Sequence, residues 1–299
     1  MEILSKTGRT DLAEVYVATM RDEPGYVIEF VDACGASPGN RSLKWVIVIS
    51  TQFGCRVNCR MCDAGGDFRG NLTFEDLRSQ IETVFTAHDE IDPRDCQKLK
   101  VQFARMGEPS FNDEVLELLR WLKDRYPNIV PCVTTMTPIG REKWFEKLIE
   151  LRDSFSDFQL QFSINSTDDD YREKLMPYPK MSWDWLADFG REFFRTEQRK
   201  IVLNFAICPD IPVESSFVKR FFDPKWFIIK MTPVNPTSTA TENGFTIAED
   251  RSMADNLIRR KSCEFENQGY VVIQSIGDME ENLIGSNCGQ MARRIIATS

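Results

Sequence analysis

Residues 44–62 read KWVIVISTQFGCRVNCRMC, a strand-length apolar run followed closely by three cysteines. Beyond this stretch, apolar runs of strand length alternate about six times with segments of helical periodicity. This alternation is typical of a parallel α/β architecture, and its spacing predicts a barrel or partial barrel. The runs that predict strands are KVQFARM (100–106), VPCVTTM (130–136), FQLQFSI (158–164), IVLNFAI (201–207), WFIIKMT (226–232) and YVVIQS (270–275).

The amino-terminal part of the chain has a different pattern. The apolar segments AEVYVATM (13–20) and YVIEFVDA (26–33) are separated by Asp-Glu-Pro-Gly, which supplies turn chemistry. We therefore expect a β-rich lead-in over residues 1–45 and a partial barrel over residues 46–299. Thr73 is the predicted N-cap of a helix that begins with FEDLRSQIETVF (74–85).

Composition sets limits on the function. Of 299 residues, 42% are hydrophobic and 28% charged, which is typical of a folded protein. No apolar run reaches the roughly 18–20 residues that cross a bilayer, and no apolar core of a secretory signal follows the first Met. We expect a cytoplasmic protein without a membrane partner. The net charge of −9 disfavours binding to nucleic acid mainly through charge.

The chain has one histidine and nine cysteines. His88 lies in a polar stretch that predicts an exposed helix end, and a single histidine is too few for multi-histidine metal sites. Ser-His-Asp chemistry is disfavoured for the same reason. Three cysteines, Cys55, Cys59 and Cys62, are spaced C-x3-C-x2-C.

Three thiolates from one short loop can bind three irons of a [4Fe–4S] cluster, which leaves the fourth iron open to a small molecule. Thiolates also suit zinc, but a structural zinc site normally takes four ligands, and a second Cys-x2-Cys pair is missing from the sequence. Inert cysteines are the third interpretation.

The predicted strands end in polar loops. Because sites in parallel α/β folds gather at the carboxyl ends of the strands, these loops predict a ring of polar contacts around one ligand. The alternative is ordinary loop composition. The loop sequences are ISTQFGC, ARMGEP, TTMTP, SINST, CPD and TPVNP.

The cysteine spacing after the first predicted barrel strand resembles the signature of the radical S-adenosylmethionine (SAM) superfamily. Further stretches, in the same order, resemble the RlmN and Cfr family of RNA adenine methyltransferases. They are STQFGCRVNCRMCDAGGDFRGNLT (50–73), RMGEPSFN (105–112), FSINSTDDDYREKLMP (162–177), TPVNP (232–236) and NCGQM (287–291). The resemblance covers about residues 46–295 and implies a partial (β/α)6 barrel.

The resemblance also implies site residues and cofactors. Cys55, Cys59 and Cys62 would bind the [4Fe–4S] cluster, whose open iron would bind SAM, and a flavodoxin or ferredoxin would supply the electron. Cys288 resembles the cysteine that carries the methyl group in that family. The residues that resemble SAM contacts are Met61, Gly107, Glu108, Thr134, Ser163, Asn165 and Asn235.

The sequence departs from the family at several positions. Val48 stands where the family has the cysteine that resolves the covalent link to substrate, so Cys132 or Cys208 would have to replace it. Asn165 stands where the family has a histidine. We also expect the chain to lack the family's amino-terminal RNA-binding domain.

Three functions remain open. The first is an RlmN/Cfr-like methyltransferase that acts on a small molecule or peptide, or on RNA. The second is a radical SAM enzyme with another outcome, such as hydrogen abstraction or alkyl addition. The third is a non-catalytic metal-binding protein.

Overall fold

The computed structural model describes residues 1–23, 25–34, 39–248, 251–276, 284–286 and 291–292. Its strands are β1 (Glu2–Arg9), β2 (Ala13–Thr19), β3 (Val27–Ala33), β4 (Trp45–Ile49), β5 (Gln52–Cys55), β6 (Gly66–Asn71), β7 (Leu99–Phe103), β8 (Ile129–Thr135), β9 (Gln159–Ser163), β10 (Ile201–Ile207), β11 (Phe227–Pro233) and β12 (Val272–Gln274). Its helices are α1 (Phe74–Thr86), α2 (Glu114–Arg125), α3 (Glu142–Arg152), α4 (Asp169–Leu175), α5 (Trp183–Phe193), α6 (Ser215–Phe221), α7 (Ser238–Glu242) and α8 (Arg251–Glu266), with a 3-10 turn at Pro109–Phe111.

Ten strands form one sheet in the order β1-β2-β3-β4-β7-β8-β9-β10-β11-β12. Strands β4 and β7 to β12 are parallel to one another, and helices connect them. Strands β1 to β3 continue the sheet from β4 as an antiparallel meander. The predicted α/β class, with a mostly parallel sheet, is confirmed. The two edge strands, β1 and β12, do not pair with each other in the described part of the chain, so the sheet stays open.

The two faces of the sheet differ in chemistry. On one face, the side chains of each strand join a single apolar core with the helices, as Ile47, Val101 and Phe162 do. Because side chains alternate across a strand, the intervening positions lie on the opposite face. We call this opposite surface of β4 and β7 to β11 the inner face. Polar side chains are frequent there, among them Lys100, Gln102, Thr134, Gln161, Ser163, Asn204 and Lys230.

The sequence reasoning missed strands of low hydrophobicity. Strand β1 is almost entirely exposed, and it pairs only at the edge of the sheet with β2. Strands β5 and β6 form a separate two-stranded antiparallel ribbon. The ribbon closes tightly because Gly54 has a φ of 68°, a left-handed conformation that glycine adopts without strain. Neither feature produces the alternating apolar pattern on which strand prediction relies.

The prediction for His88 is wrong. Its side chain is buried against the ring of Trp45, and its Nε2 lies 2.7 Å from Oδ2 of Asp32. The Asp32 carboxylate also accepts hydrogen bonds from Arg41 and from the Trp45 indole. The polar residues around His88 in sequence concealed these partners, which come from β3 and β4.

No helix in the described ranges is long and apolar enough to span a bilayer.

The predicted N-cap of α1 is confirmed. The Thr73 hydroxyl accepts a hydrogen bond from the Asp76 amide at 3.2 Å, and the Asp76 carboxylate accepts one from the Thr73 amide at 3.0 Å. This reciprocal pair satisfies two amides at the start of α1 that have no partner within the helix.

We expect Thr73→Ala to lower the free energy of unfolding by about 1 kcal/mol, because the Asp76 amide loses its acceptor. Urea unfolding followed by circular dichroism measures the difference. Thr73→Ser retains the hydroxyl and is the control. Equal stability of the two variants would contradict the assigned cap.

Candidate functional site

The cysteine loop, residues 55–65, connects the two strands of the β5–β6 ribbon. Cys55 ends β5 opposite Gly66, and the chain then turns back through a Cys62 amide to Cys59 carbonyl hydrogen bond of 3.1 Å. A Cβ at Gly65 would lie 2.9 Å from the Cα of Asn58, so a larger residue would push the end of the loop away from the segment between Cys55 and Cys59. The local backbone therefore gathers the cysteines in one compact turn.

The environment of two of these thiols disfavours a free thiolate. Burial raises the pKa of the Cys55 thiol to about 11, although the amides of Val57, Asn58 and Gly107 hydrogen-bond to it and oppose the shift. Burial raises the pKa of the Cys59 thiol further, and the negative charge of Cys55 adds to the effect. Bound metal cations relieve both costs because they stabilise thiolates.

The geometry also bears on the kind of metal site. Among the described residues, the trio whose ligand atoms all lie within 4.8 Å of one another is Glu14, Asp32 and His88. Its Asp32 already bonds to Arg41, so the trio is a polar network within the fold. The three cysteines of the loop do not form so tight a trio in the part of the chain that the structure describes.

The loop between β11 and α7 is bonded directly to the cysteine loop. The Asp63 carboxylate accepts hydrogen bonds from the amides of Ser238 and Thr239, at 3.1 and 2.8 Å. The Thr237 hydroxyl donates to the carbonyl of Met61 at 2.9 Å. Asn235 lies in the same short connection, two residues before Thr237. The cysteine loop and the polar end of β11 therefore form one hydrogen-bonded unit.

The Met-Gly-Glu-Pro loop after β7 contacts the cysteine loop from another direction. Gly107 has a φ of 98°, and a Cβ there would lie 2.6 Å from Cγ of Gln52 and 2.7 Å from the Thr51 hydroxyl. Only glycine lets the backbone approach β5 so closely. The amide of Gly107 is one of the three that hydrogen-bond to Cys55.

The Glu108 carboxylate lies inside the protein. It accepts hydrogen bonds from the Ser110 amide and hydroxyl and from the Met136 amide, at 3.1, 2.7 and 2.8 Å. Burial raises the pKa of Glu108, and these donors oppose the shift. Glu108 thus ties the loop after β7 to the loop after β8. A SAM ammonium would share this carboxylate with the protein, and the SAM contact stays a prediction.

The remaining predicted SAM contacts lie at the carboxyl ends of the strands. Thr134 is on the inner face of β8 and accepts a hydrogen bond from Gln161, and Ser163 ends β9 on the same face. Asn165 has a φ of 61° and turns its side-chain oxygen to the Ala206 amide at 3.1 Å, which indicates a role in joining β9 to β10. The structure brings these residues to one edge of the sheet without testing their contact to SAM.

A buried ion pair holds the carboxyl-terminal segment, and sequence reasoning missed it. Nε of Arg105 lies 2.5 Å from the Glu29 carboxylate, and both side chains are buried. Arg105 also donates to the carbonyls of Gly285 and Ser286, while Glu29 accepts from the amides of Met291 and Ala292. We call these contacts the Glu29–Arg105 clamp. Cys288 lies outside the described residues.

The position of the missing family cysteine is close to this segment. Val48 packs in one apolar cluster with Ile284 and Met291. Cys132 lies on the same face two strands away, with Gln102 between it and Val48 in the register. Cys208 follows β10, where its thiol faces the Asp210 carboxylate and burial raises its pKa to about 11. Whether either thiol replaces the missing cysteine stays a prediction.

Comparison with known proteins agrees with these features. No family model matches the chain. The chain is 27% identical over 199 residues to the ribosomal RNA large subunit methyltransferase N of Nitrosopumilus maritimus, covering 64% of this chain and 55% of the relative. It is 25% identical over 255 residues to a probable dual-specificity RNA methyltransferase RlmN of Clostridium novyi, covering 84% of this chain and 69% of the relative. It is 24% identical over 204 residues to the ribosomal RNA large subunit methyltransferase Cfr of Staphylococcus warneri, covering 65% of this chain and 56% of the relative.

Solved structures agree on the fold. A radical SAM methyltransferase from Sphaerobacter thermophilus matches with a TM-score of 0.72 at 17% identity, covering 96% of this chain and 80% of that structure. Streptococcus suis SuiB bound to S-adenosylmethionine matches with a TM-score of 0.52 at 14% identity, covering 78% of this chain and 50% of that structure. The fold is therefore of the radical SAM type. In sequence, the chain is similar to RlmN and Cfr methyltransferases at 24–27% identity, and it spans about half the length of several of these curated relatives.

The clamp predicts a specific defect. We expect Arg105→Met to lower the free energy of unfolding by about 3–5 kcal/mol, because Glu29 is left as an unpaired buried charge. Hydrogen exchange at the amides of Met291 and Ala292 should accelerate at the same time.

The double variant Glu29→Leu/Arg105→Met is the control. It removes both charges, so the free energy of unfolding should recover in part. The amides of Met291 and Ala292 should still exchange rapidly. If Arg105→Met leaves their exchange unchanged, the clamp does not hold this segment.

Proposed function

We propose that the chain is a radical SAM methyltransferase in which Cys55, Cys59 and Cys62 bind a [4Fe–4S] cluster. The observation that carries this proposal is the convergence on the cysteine loop of two polar loops, one containing Gly107 and one containing Asn235. When bound, the cluster supplies the electron that splits SAM into methionine and a 5′-deoxyadenosyl radical. The residues present fit such a group, since three soft donors come from one turn.

The protein's part is to bind and orient SAM beside these thiols. Gly107 permits close approach of the backbone, and the Thr237–Met61 hydrogen bond fixes the residue next to Cys62. The half-buried Thr134 and Ser163 present hydroxyl groups on the inner face, where they can bind the polar groups of SAM. A flavodoxin or ferredoxin is the proposed electron donor.

Cys288 is the proposed methyl carrier. One SAM would methylate its thiol, and the radical from a second SAM would abstract hydrogen from the S-methyl group. The resulting methylene radical would add to an sp2 carbon of the substrate, which ordinary methyl transfer cannot alkylate. The Glu29–Arg105 clamp supports this assignment, because it binds the chain on both sides of residues 287–290. Val48 implies that another thiol, Cys132 or Cys208, or a different step releases the product.

The substrate class is a separate part of the proposal. The net charge of −9 favours a small molecule or peptide. The relatives are named RNA methyltransferases, so RNA is the second candidate. We further propose that residues 1–45 are the lead-in and that residues 46–299 form the catalytic barrel.

We expect Cys55→Ala to reduce the formation of 5′-deoxyadenosine to the background level, because the cluster loses one of its thiolate ligands. The measurement is anaerobic incubation of reconstituted protein with SAM and dithionite, followed by liquid chromatography. The control is Cys263→Ala, which removes an exposed cysteine on α8. Undiminished 5′-deoxyadenosine from Cys55→Ala would overturn the cluster assignment.

The methyl carrier has its own test. Protein made with SAM available should contain one additional methyl group on the peptide that holds Cys288, as measured by mass spectrometry. The peptide that holds Cys263 should remain unmodified. Absence of the methyl group from the Cys288 peptide would contradict its assigned role and leave SAM cleavage with another outcome.

A further inference from the structure

The inner face carries an unbalanced positive charge. Its side chains on β4 and β7 to β11, all of which the structure describes, include Lys100 and Lys230 but no aspartate or glutamate. Lys100 is held by a 2.7 Å hydrogen bond to the side-chain oxygen of Gln159. Within the described part of the chain, Lys230 has no ion pair or hydrogen bond.

The surroundings of Lys230 disfavour an isolated charge. It lies in the middle of β11 with Asn204 of β10 on one side and Ile273 of β12 on the other. Burial lowers the pKa of Lys230, and the positive charge of Lys100 lowers it further, while the thiol of Cys132 opposes the shift. Lys230 is half-buried, and a partly desolvated ammonium is stabilised when an anion or strong acceptor pairs with it.

Asn204 is a second unsatisfied group at the same place. Its side-chain oxygen is buried and has no hydrogen-bond partner among the described residues. In the register, Asn204 stands between Ser163 of β9 and Lys230. Neighbouring strands are about 4.8 Å apart, so these three side chains can contact one ligand group. This oxygen is an acceptor, so it favours a donor such as the Lys230 ammonium, and the side-chain nitrogen of Asn204 is the atom that can donate to a ligand.

The amino ends of the strands add to the positive potential. Lys44 and Lys98 precede β4 and β7; burial lowers the pKa of both, and the charges of Lys100 and Arg199 lower it further. Of these four cations, Arg199 pairs with a carboxylate, that of Asp157. The inner face is therefore positive within a chain whose net charge is −9. Such a potential favours an anionic ligand.

We propose that Lys230, Asn204 and Ser163 form a subsite for an anionic oxygen group of the substrate, either a phosphate or a carboxylate. This inference rests on the proposed function, which places SAM at the carboxyl ends of the same strands. The anionic group would pair with the Lys230 ammonium, and the Ser163 hydroxyl and the Asn204 side-chain nitrogen would donate to its oxygens. The subsite would thereby hold the substrate next to SAM in one orientation.

The test is calorimetric titration of the full chain, loaded with its cluster and with saturating SAM, against inorganic phosphate and separately against acetate. We expect saturable binding of at least one anion, and the tighter one identifies the class of group. Lys230→Gln should weaken this binding by about tenfold or more, and Lys230→Arg should retain it. Lys147→Gln is the matched control, because it makes the same change of charge on the exposed side of α3.

A second variant tests the subsite if Lys230→Gln does not fold. Asn204→Asp places a carboxylate beside Lys230, so it should raise the melting temperature and abolish anion binding. The proposal is overturned if neither anion binds, if Lys230→Gln binds as tightly as the unaltered protein, or if Lys147→Gln is equally defective.

Two further outcomes separate this proposal from others. If phosphate and acetate bind only when SAM is absent, Lys230 pairs with the carboxylate of SAM, and the substrate subsite is overturned. Because the titration needs no turnover, Lys230-dependent binding in a protein that forms no 5′-deoxyadenosine would overturn the proposed function and retain the anion subsite. Turnover without anion binding would retain the proposed function and overturn the anion subsite.

Discussion

The hydrogen bonds of the Asp63 carboxylate to Ser238 and Thr239 fix the cysteine loop in the fold. The loop belongs to a two-stranded ribbon outside the main sheet, so these contacts decide where its thiols lie relative to the strands. Arg60 and Asn243 extend the attachment to the far end of α7 through three further hydrogen bonds. A short helix after β11 thus positions three cysteines that follow β4 in sequence. The predicted site forms only if the sheet has brought β4 and β11 to opposite sides of one open surface.

The distribution of charge follows from the same architecture. Helices cover one face of the parallel strands with an apolar core, which leaves the inner face for polar residues. At the lead-in end, the Glu29–Arg105 clamp covers that face with residues from the carboxyl terminus. Between the clamp and β12 the surface is half-buried and positive. A substrate that enters there would meet the predicted SAM contacts at one end and Lys230 in the middle.

Much of the fold could be predicted from the sequence, because buried parallel strands are continuous apolar runs and the helices between them are amphipathic. The N-cap at Thr73 could likewise be predicted from the sequence, since capping is a local interaction. His88 and the Glu29–Arg105 clamp were not, because their partners are distant in sequence and only packing brings them together. The spacing of the three cysteines and the glycine at 107 indicate the chemistry of the site from the sequence alone. The unsatisfied Asn204 and Lys230 look, in sequence, like ordinary interruptions of apolar strands.

The most direct measurement of the central claim is Mössbauer and electron paramagnetic resonance spectroscopy of the anaerobically reconstituted chain, with and without SAM. Three cysteine ligands should give a [4Fe–4S] cluster with one distinct iron site, and SAM should change the spectrum of that iron alone. A cluster whose irons are all unchanged by SAM would contradict the claim, as would a single tetrahedral metal ion bound by the three cysteines.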